Sequence, residues 1–281
     1  MGPSALRLAG LNVKLESLGY QIEDLGNVQV AQQESTPSGP ERAKYLPQIA
    51  KTCAALASAV SATVSSGKFP LVLGGDHSVA VGTVAGVSYA FRQRGERIGM
   101  IWIDAHADMN TPDSSPSGNI HGMPLACCLG IGPPELARIF EYAPKLEGRN
   151  IVLIGLRDVD ERERGLVRQS GVTAFTMRDI DERGLRSILA EAIEHANEGT
   201  AGFHLSLDMD VVDPDEAPGV GTPVRGGITY REAHLAMETI CDCSRMVSME
   251  VVEVNPVLDE ANRTALLGVE LVMSAMGKKI L

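Results

Sequence analysis

Three short clusters of acidic and histidine side chains, each directly after a short apolar run, are the part of the sequence best suited to chemistry. They are Gly74-Gly75-Asp76-His77, Asp104-Ala105-His106-Ala107-Asp108 and Asp208-Met209-Asp210. Alternate side chains of an extended backbone point the same way, so the spacing within each of the last two clusters places its ionisable groups on one side. A single Asp-x-Asp is more typical of a turn or a helix cap. Three such clusters indicate instead that carboxylates and imidazoles converge on one site.

The ligand types in these clusters favour a pair of metal ions. Carboxylates held close together in a protein interior repel one another unless cations neutralise them. Apart from Asp76, the clusters supply two imidazoles and four carboxylates. These are too many ligands for one ion, but they suit two divalent ions in number and in formal charge. Oxygen-rich ligation with imidazole and without thiolate favours Mn²⁺ over structural zinc. We therefore predict a site for two Mn²⁺ ions.

Such a site would do hydrolytic chemistry. Two metal ions that share a water lower its pKa towards about 7, which makes a metal-bridging hydroxide available as a nucleophile. The sequence has no G-x-S-x-G, P-loop or G-x-G-x-x-G motif that would indicate another mechanism. The residues alone thus predict a metal-dependent hydrolase.

The elements that must position these clusters are short apolar runs bounded by Gly or Asp, which are typical of buried parallel strands. The predicted strands are residues 69–73, 98–103, 150–154, 202–207 and 246–252. Helices are predicted at residues 46–64, 79–93 and 180–196, each followed by a glycine. An amphipathic helix at residues 4–18 and a strand at residues 20–25 are predicted at the beginning of the sequence.

This alternation of strands and helices predicts an α/β fold, with three α/β/α layers around a parallel, doubly wound sheet. Ligands of such sheets bind at the carboxyl ends of the strands, which is where the three clusters lie. The sequence contains no repeat or linker, and residues 32–40 are its loosest loop. Residues 1–281 are therefore predicted to form a single catalytic domain.

Composition excludes several classes of partner. The 281 residues carry a net charge of −11, whereas nucleic-acid binding needs a basic surface. No apolar stretch approaches the roughly 18–20 residues that span a bilayer, and the first residues lack the core of a signal peptide. The five cysteines include no C-x-x-C pair, which favours a reducing compartment. We expect a cytoplasmic protein with no nucleic-acid or membrane partner.

Longer motifs around the three clusters resemble those of the ureohydrolases and, within that superfamily, the arginase family. The matching stretches are GGDHS at 74–78, DAHADMNTP at 104–112, SGNIHG at 117–122, SLDMD at 206–210, GTPVRGG at 221–227 and EVNP at 253–256. The resemblance extends from the first residues to the last. It implies an arginase-like fold and manganese-dependent hydrolysis of L-arginine to L-ornithine and urea, a reaction of arginine metabolism and the urea cycle.

Carried over residue by residue, the resemblance implies two ligand sets that share two aspartates. His77, Asp104, Asp108 and Asp208 would hold one Mn²⁺, and His106, Asp104, Asp208 and Asp210 the other. Three residues would be catalytic. Glu253 would pair with the guanidinium, Asp210 would hydrogen-bond the hydroxide, and His121 would shuttle protons, with an ordinary pKa of about 6.5 that suits this role.

The resemblance also implies which side chains select the substrate. Asn110, Ser117 and Asn119 would contact the α-carboxylate, Asp160 and Glu163 would face the α-amino group, and Thr222 would belong to the same site. This set suits an amino acid better than agmatine, which has no carboxylate. A structural turn explains the residues Asn110-Thr111-Pro112 equally well. Glu163 lies in a run of mixed charges, which is typical of a solvent-exposed helix turn. His204, between apolar neighbours, is predicted to be a hydrogen-bonded core residue.

Some expectations stay open at this point. An amidinohydrolase of the agmatinase or guanidinobutyrase type, and a truncated non-catalytic metal-binding paralogue, are the alternatives. Relatives usually carry roughly two dozen residues before the Gly-Pro-Ser-Ala stretch at 2–5, so the family's first strand is expected to be missing and one sheet edge unpaired. The family resemblance further implies a homotrimer or a homohexamer.

Overall fold

The computed structural model describes residues 1–279. Six strands in this range form one parallel sheet: β1 (Leu71–Leu73), β2 (Gly99–Ile103), β3 (Ile151–Leu156), β4 (Thr173–Thr176), β5 (Phe203–Asp208) and β6 (Met246–Val252). Their order across the sheet is β1-β6-β5-β2-β3-β4, and every neighbouring pair is parallel. The predicted α/β class with a parallel sheet is confirmed.

Helices cover both faces of the sheet. The described residues form α1 (Gly2–Leu8), α2 (Leu11–Ser17), α3 (Leu46–Ser65), α4 (Ala80–Arg92), α5 (Pro124–Cys128), α6 (Pro134–Ala137), α7 (Glu161–Gln169), α8 (Met177–Arg183), α9 (Leu185–Asn197), α10 (Tyr230–Asp242) and α11 (Arg263–Ala275). Met100 and Trp102 of β2 pack with residues of α3 and α4, whereas Ile101 and Ile103 pack with α1, α9, α10 and α11. The sheet is thus buried on both faces, which explains its continuous apolar strands. None of the helices within residues 1–279 combines the length and apolarity needed to cross a membrane.

Two predicted helices are each divided in two. The predicted helix at 180–196 is interrupted between α8 and α9 by Gly184 (φ 81°), and the one at 4–18 is interrupted between α1 and α2 by Gly10 (φ 85°). Glycine adopts this left-handed conformation without steric cost and so ends a helix where the apolar periodicity continues.

The strand predicted at residues 20–25 is wrong. This segment is mostly exposed, and no strand pairs with it among the described residues. It is held instead by side chains, chiefly an ion pair of 2.7 Å between Arg7 Nε and Asp24 Oδ2. Conversely, the short and partly polar edge strand β4 was not predicted, and β1 at the opposite edge pairs with β6 alone.

The sheet order creates a crevice at one place. After β2 the chain moves outward through β3 and β4, then returns to β5 on the other side of β2 and continues to β6. Such a switch point opens a ligand-binding crevice at the carboxyl ends of the neighbouring strands β2 and β5. The register pairs Ile103 with Leu207, so Asp104 and Asp208 lie side by side there.

Candidate metal centre

The residues of the site are supplied by strand ends and by single turns of 3-10 helix. Asp104 follows β2 and Asp208 ends β5, while His77 and Asp210 lie on the turns His77–Val79 and Met209–Val211. Two of the aspartates accept a hydrogen bond from a nearby backbone amide. Asp104 Oδ1 accepts from the amide of His106 (2.6 Å), and Asp208 Oδ1 accepts from the amide of Asp210 (2.8 Å). These bonds hold the side chains in position and leave Asp104 Oδ2 and Asp208 Oδ2 directed at His77.

One group of ligand atoms surrounds the buried ring of His77. Its Nδ1 lies 3.1 Å from Asp104 Oδ2, 3.1 Å from Asp108 Oδ2 and 3.0 Å from Asp208 Oδ2. This nitrogen has no hydrogen-bond partner of good geometry although it is buried. A buried nitrogen that faces three carboxylates without a hydrogen bond fits a cation site, because a cation would satisfy all four groups.

A second group surrounds His106 and shares Asp104 with the first. His106 Nδ1 lies 3.0 Å from Asp210 Oδ2 and 3.5 Å from Asp104 Oδ1. The ligand atoms of His77, Asp104 and Asp208, and those of Asp104, His106 and Asp210, are each close enough to hold one ion. The six predicted ligands therefore meet in one place. The predicted bridging role of Asp208 stays a prediction, since Asp208 is not part of the second group.

In the protein without a bound cation, the two histidines offset part of the negative charge of the four aspartates, and burial raises the pKa of Asp108, Asp208 and Asp210. Burial lowers the pKa of His106, but hydrogen bonds and negative charge from Asp104 and Asp210 outweigh it and raise that pKa to about 12. Burial also opposes protonation of His77, yet its three aspartate neighbours raise its pKa well above the ordinary value. Both imidazoles thus carry a proton where a metal ligand must carry a lone pair.

We expect Mn²⁺ binding to release protons and to strengthen as the pH rises. The pKa of His106 is raised above its unfolded value, so at neutral pH a proton must leave before Nδ1 can bind a cation. Titration calorimetry of the metal-free protein with MnCl₂, in two buffers of different ionisation enthalpy, counts the protons released. Binding that is independent of pH between 6 and 9, with no proton release, would contradict this assignment.

A cavity opens above the two groups and contains most of the predicted substrate-binding residues. It is lined by His106, Asp108, Asn110, Ser115, Ser117, His121, Gly122, Asp158, Asp160, Glu163, Asp208, Asp210, Thr222 and Glu253. Asn119 is exposed and does not line it. Thr222 donates from Oγ1 to Asp210 Oδ2 over 3.0 Å, so it directly contacts a residue of the second group.

The far side of the cavity is built by a contact between two loops. Asn110 donates from Nδ2 to Asp160 Oδ2 over 2.9 Å, just before α7 begins. Glu163 in the first turn of α7 is buried and accepts from the amides of Met109 (2.7 Å) and Asp160 (3.2 Å). Burial raises the pKa of Glu163 to about 7. The local geometry therefore shows Glu163 joining the two loops, and a contact with the substrate's amino group stays a prediction.

Glu253 and His121 lie at the wall nearest the first group. Glu253 Oε1 accepts from the amide of His77 over 2.9 Å and lies 3.6 Å from Nδ1 of His121. This neighbouring carboxylate raises the pKa of His121 to about 9, against the opposing effect of burial. Glu253 (φ 63°) and Asp108 (φ 51°) adopt left-handed backbone conformations. Such conformations are costly for these residues and often occur at functional sites.

Four residues of the site were not predicted from the sequence: Ser115, Gly122 and Asp158 line the cavity, and Trp102 contacts His77 and Asp104. For Asp158, the available signal was its position after β3, two residues before Asp160. Trp102, the chain's only tryptophan, stacks on His77 with ring centroids 3.9 Å apart and donates to Asp104 Oδ2 over 2.8 Å. Its place within an apolar strand marked it only as a core residue.

Comparison with known proteins agrees with this geometry. The sequence model of the arginase family matches residues 1–277. The chain belongs to the arginase family. The arginase of Bacillus caldovelox is 50% identical to it, over 100% of this chain and 93% of the relative. Membership in the arginase family makes the protein a hydrolase that acts on a guanidino C–N bond.

Solved arginase structures share the fold over the same length. The native structure of Bacillus caldovelox arginase has a TM-score of 0.96 at 49% identity, and covers 100% of this chain and 93% of its own. Entamoeba histolytica arginase, solved in complex with L-ornithine, has a TM-score of 0.89 at 30% identity, with coverages of 99% and 92%. The arginase-family site thus lies within a fold that these relatives share.

Proposed function

We propose that this enzyme hydrolyses L-arginine to L-ornithine and urea with two Mn²⁺ ions per subunit. The observation that carries the proposal is that Asp104 directs one carboxylate oxygen at each of two ligand groups. Those groups lie directly below a cavity lined by Glu253, His121 and the Asn110–Asp160 pair. One cavity would then contain a pair of metal ions, a carboxylate that can bind a guanidinium, and polar groups that can bind the amino-acid end of the substrate.

The six ligands fit Mn²⁺ in type and charge. His77, Asp104, Asp108 and Asp208 would hold one ion, and His106, Asp104, Asp208 and Asp210 the other. When bound, the ions would supply a water of lowered pKa as the nucleophile. Asp210, which Thr222 and His106 hold in place, would accept a hydrogen bond from this water.

Glu253 would orient the substrate. A guanidinium is cationic and stabilised by resonance, so it reacts only with a well-placed nucleophile. The Glu253 carboxylate is only slightly exposed, faces the cavity and is fixed by the amide of His77. A planar pair between this carboxylate and the guanidinium would direct the guanidinium carbon towards the ligand groups.

His121 would supply the proton that the leaving amine needs. Its pKa of about 9 means that Nδ1 holds a proton at neutral pH, next to the carboxylate that would bind the guanidinium. When the C–N bond breaks, transfer of this proton to the departing nitrogen would release L-ornithine as an amine. The ring is partly exposed and can then take a new proton from solvent.

Substrate selection would depend on the loops above the ligand groups. Ser117 and Asn110 offer neutral hydrogen-bonding groups for a carboxylate, and Asp160 offers an acid for an α-amino group. The related Entamoeba histolytica arginase binds L-ornithine, which carries both groups. This supports an α-amino acid as the substrate. Asn119 lies outside the cavity lining, and its contact with the carboxylate rests on the family resemblance alone.

We expect L-arginine to be preferred to agmatine by roughly a thousandfold or more in kcat/KM, because a site built to hydrogen-bond a group rejects an analogue without it. Urea release from both compounds, with Mn²⁺ added, measures this ratio. Agmatine as the better substrate would overturn the substrate assignment. A protein that binds two ions but releases urea from neither compound would be the non-catalytic paralogue.

Three further proposals concern the domain organisation, the assembly and the location of the protein, and only the assembly rests on the family resemblance. Residues 1–281 would be one catalytic domain, which the family match over residues 1–277 supports. The enzyme would be a homotrimer or a homohexamer, which light scattering would test. Fractionation of the source cells would test its proposed cytoplasmic location.

A further inference from the structure

A chain of buried polar side chains runs along β5 and β6 and ends at His77. Nε2 of His77 lies 2.8 Å from Ser206 Oγ, and Ser206 donates to Glu250 Oε1 over 2.8 Å. Beyond it, His204 Nε2 lies 3.3 Å from the same glutamate oxygen, and its Nδ1 lies 2.8 Å from Ser248 Oγ. We call these four residues (Ser206, Glu250, His204 and Ser248) the buried relay.

Sheet register brings the members of the buried relay together. His204 pairs with Ser248 and Ser206 pairs with Glu250 across β5 and β6, and all four residues are fully buried. On β2, Met100 pairs with His204 and Trp102 pairs with Ser206, so apolar side chains flank the relay on that side. The sequence-based prediction that His204 is a hydrogen-bonded core residue is confirmed, since its Nδ1 bonds to the Ser248 hydroxyl, while its Nε2 faces the Glu250 carboxylate.

Stability alone does not explain this arrangement. Taking a carboxylate and an imidazole out of water is costly, and apolar residues of similar volume are often as stabilising as a buried ion pair. The relay does, however, contact a metal ligand from behind. Partners of this kind commonly fix which ring nitrogen of a histidine faces the metal.

The hydrogen-bond directions determine the proton on His77. Because Ser206 gives its own proton to Glu250, its oxygen can only accept from His77, and Nε2 must therefore be the nitrogen that keeps its proton. Nδ1 is then the nitrogen that can offer a lone pair. This is the atom that faces Asp104, Asp108 and Asp208.

We propose that Glu250, supported by His204, is a positioning residue for cation binding, which fixes the Ser206 hydroxyl so that His77 presents an unprotonated Nδ1. Glu250 touches neither the substrate cavity nor the ligand atoms of either group. Its effect is therefore expected at the His77 group and not at the His106 group. The proposal rests on the proposed metal-dependent function.

The experiment measures Mn²⁺ affinity through Trp102. This only tryptophan stacks on His77, so its fluorescence reports on the first group. We expect Glu250→Leu to weaken Mn²⁺ binding there by about 10- to 100-fold. Glu250→Gln keeps an oxygen that can accept from Ser206, so it should retain most of the affinity.

A double variant separates positioning from folding. Glu250→Leu leaves Nε2 of the buried His204 without the carboxylate that it faces, and should lower the unfolding temperature of the metal-free protein. His204→Leu/Glu250→Leu removes both groups and should restore that temperature, while Mn²⁺ affinity stays low. The matched control is Ser88→Ala, which removes a buried hydroxyl bonded to the Lys145 carbonyl, at a residue that belongs neither to the ligand groups nor to the cavity lining. It should leave Mn²⁺ affinity unchanged.

Two outcomes would overturn the inference, and they differ from failure of the proposed function. If the double variant recovers wild-type Mn²⁺ affinity along with its stability, the relay is merely structural. If Glu250→Leu folds and binds Mn²⁺ as tightly as the wild type, Glu250 does not position His77. If the wild-type chain itself binds no Mn²⁺, the proposed function fails.

Discussion

Replacing Asp104 by alanine is expected to abolish binding at both ligand groups and to lower kcat for urea release by roughly a thousandfold or more. The reason is geometric, since Asp104 Oδ2 lies 3.1 Å from Nδ1 of His77 and Oδ1 lies 3.5 Å from Nδ1 of His106. Metal ions supply several kcal/mol of transition-state stabilisation, and each 1.36 kcal/mol corresponds to a factor of about ten. No other carboxylate is a member of both groups among the described residues.

The measurement pairs metal analysis of the purified variant with a urea assay. Asp113→Ala is the matched control, because Asp113 belongs to the loop after the same cluster but its side chain is almost fully exposed. It should retain both ions and its activity. An Asp104→Ala protein that folds, keeps two ions and hydrolyses arginine would refute the shared-ligand assignment.

Replacing Glu253 by glutamine is expected to leave metal content intact and to lower kcat/KM for L-arginine by about 30-fold to several thousandfold. Glutamine can still accept from the amide of His77 but cannot balance a guanidinium charge. Breaking one side of a buried charged pair costs about 2–5 kcal/mol, and each 1.36 kcal/mol is a factor of ten. The variant should also lower the pKa of His121, since the Glu253 carboxylate is the main cause of its elevation.

Steady-state kinetics across pH, with metal analysis of the same samples, tests this expectation. The control is Glu260→Gln, an identical change at an exposed residue seven positions further along the same loop. A Glu253→Gln variant with near wild-type kcat/KM would exclude Glu253 from guanidinium binding. Loss of bound Mn²⁺ would show instead that Glu253 supports the ligand groups.

Much of the site could be inferred without coordinates because it follows local rules. Parallel strands buried on both faces produce apolar runs, and ligands of such sheets gather at the carboxyl ends of their strands. Asp104 and Asp208 could be predicted as site residues in this way, since each directly follows an apolar run. The same local rules failed at residues 20–25, where a segment with a strand-like sequence has no strand beside it, and at β4, whose partly polar residues resemble those of a loop.

Contacts between distant parts of the chain were decided only by the tertiary structure. No spacing shows that Asp104 divides its oxygens between two histidines, that Glu163 binds two backbone amides, or that Glu250 reaches His77 through Ser206. Each contact depends on which strands are neighbours and in which register they pair. Residues 206 and 250 are far apart in sequence, and only the pairing of β5 with β6 brings them within a hydrogen bond. Local periodicity determines which face of a strand a side chain occupies, whereas sheet order and register determine what it meets there.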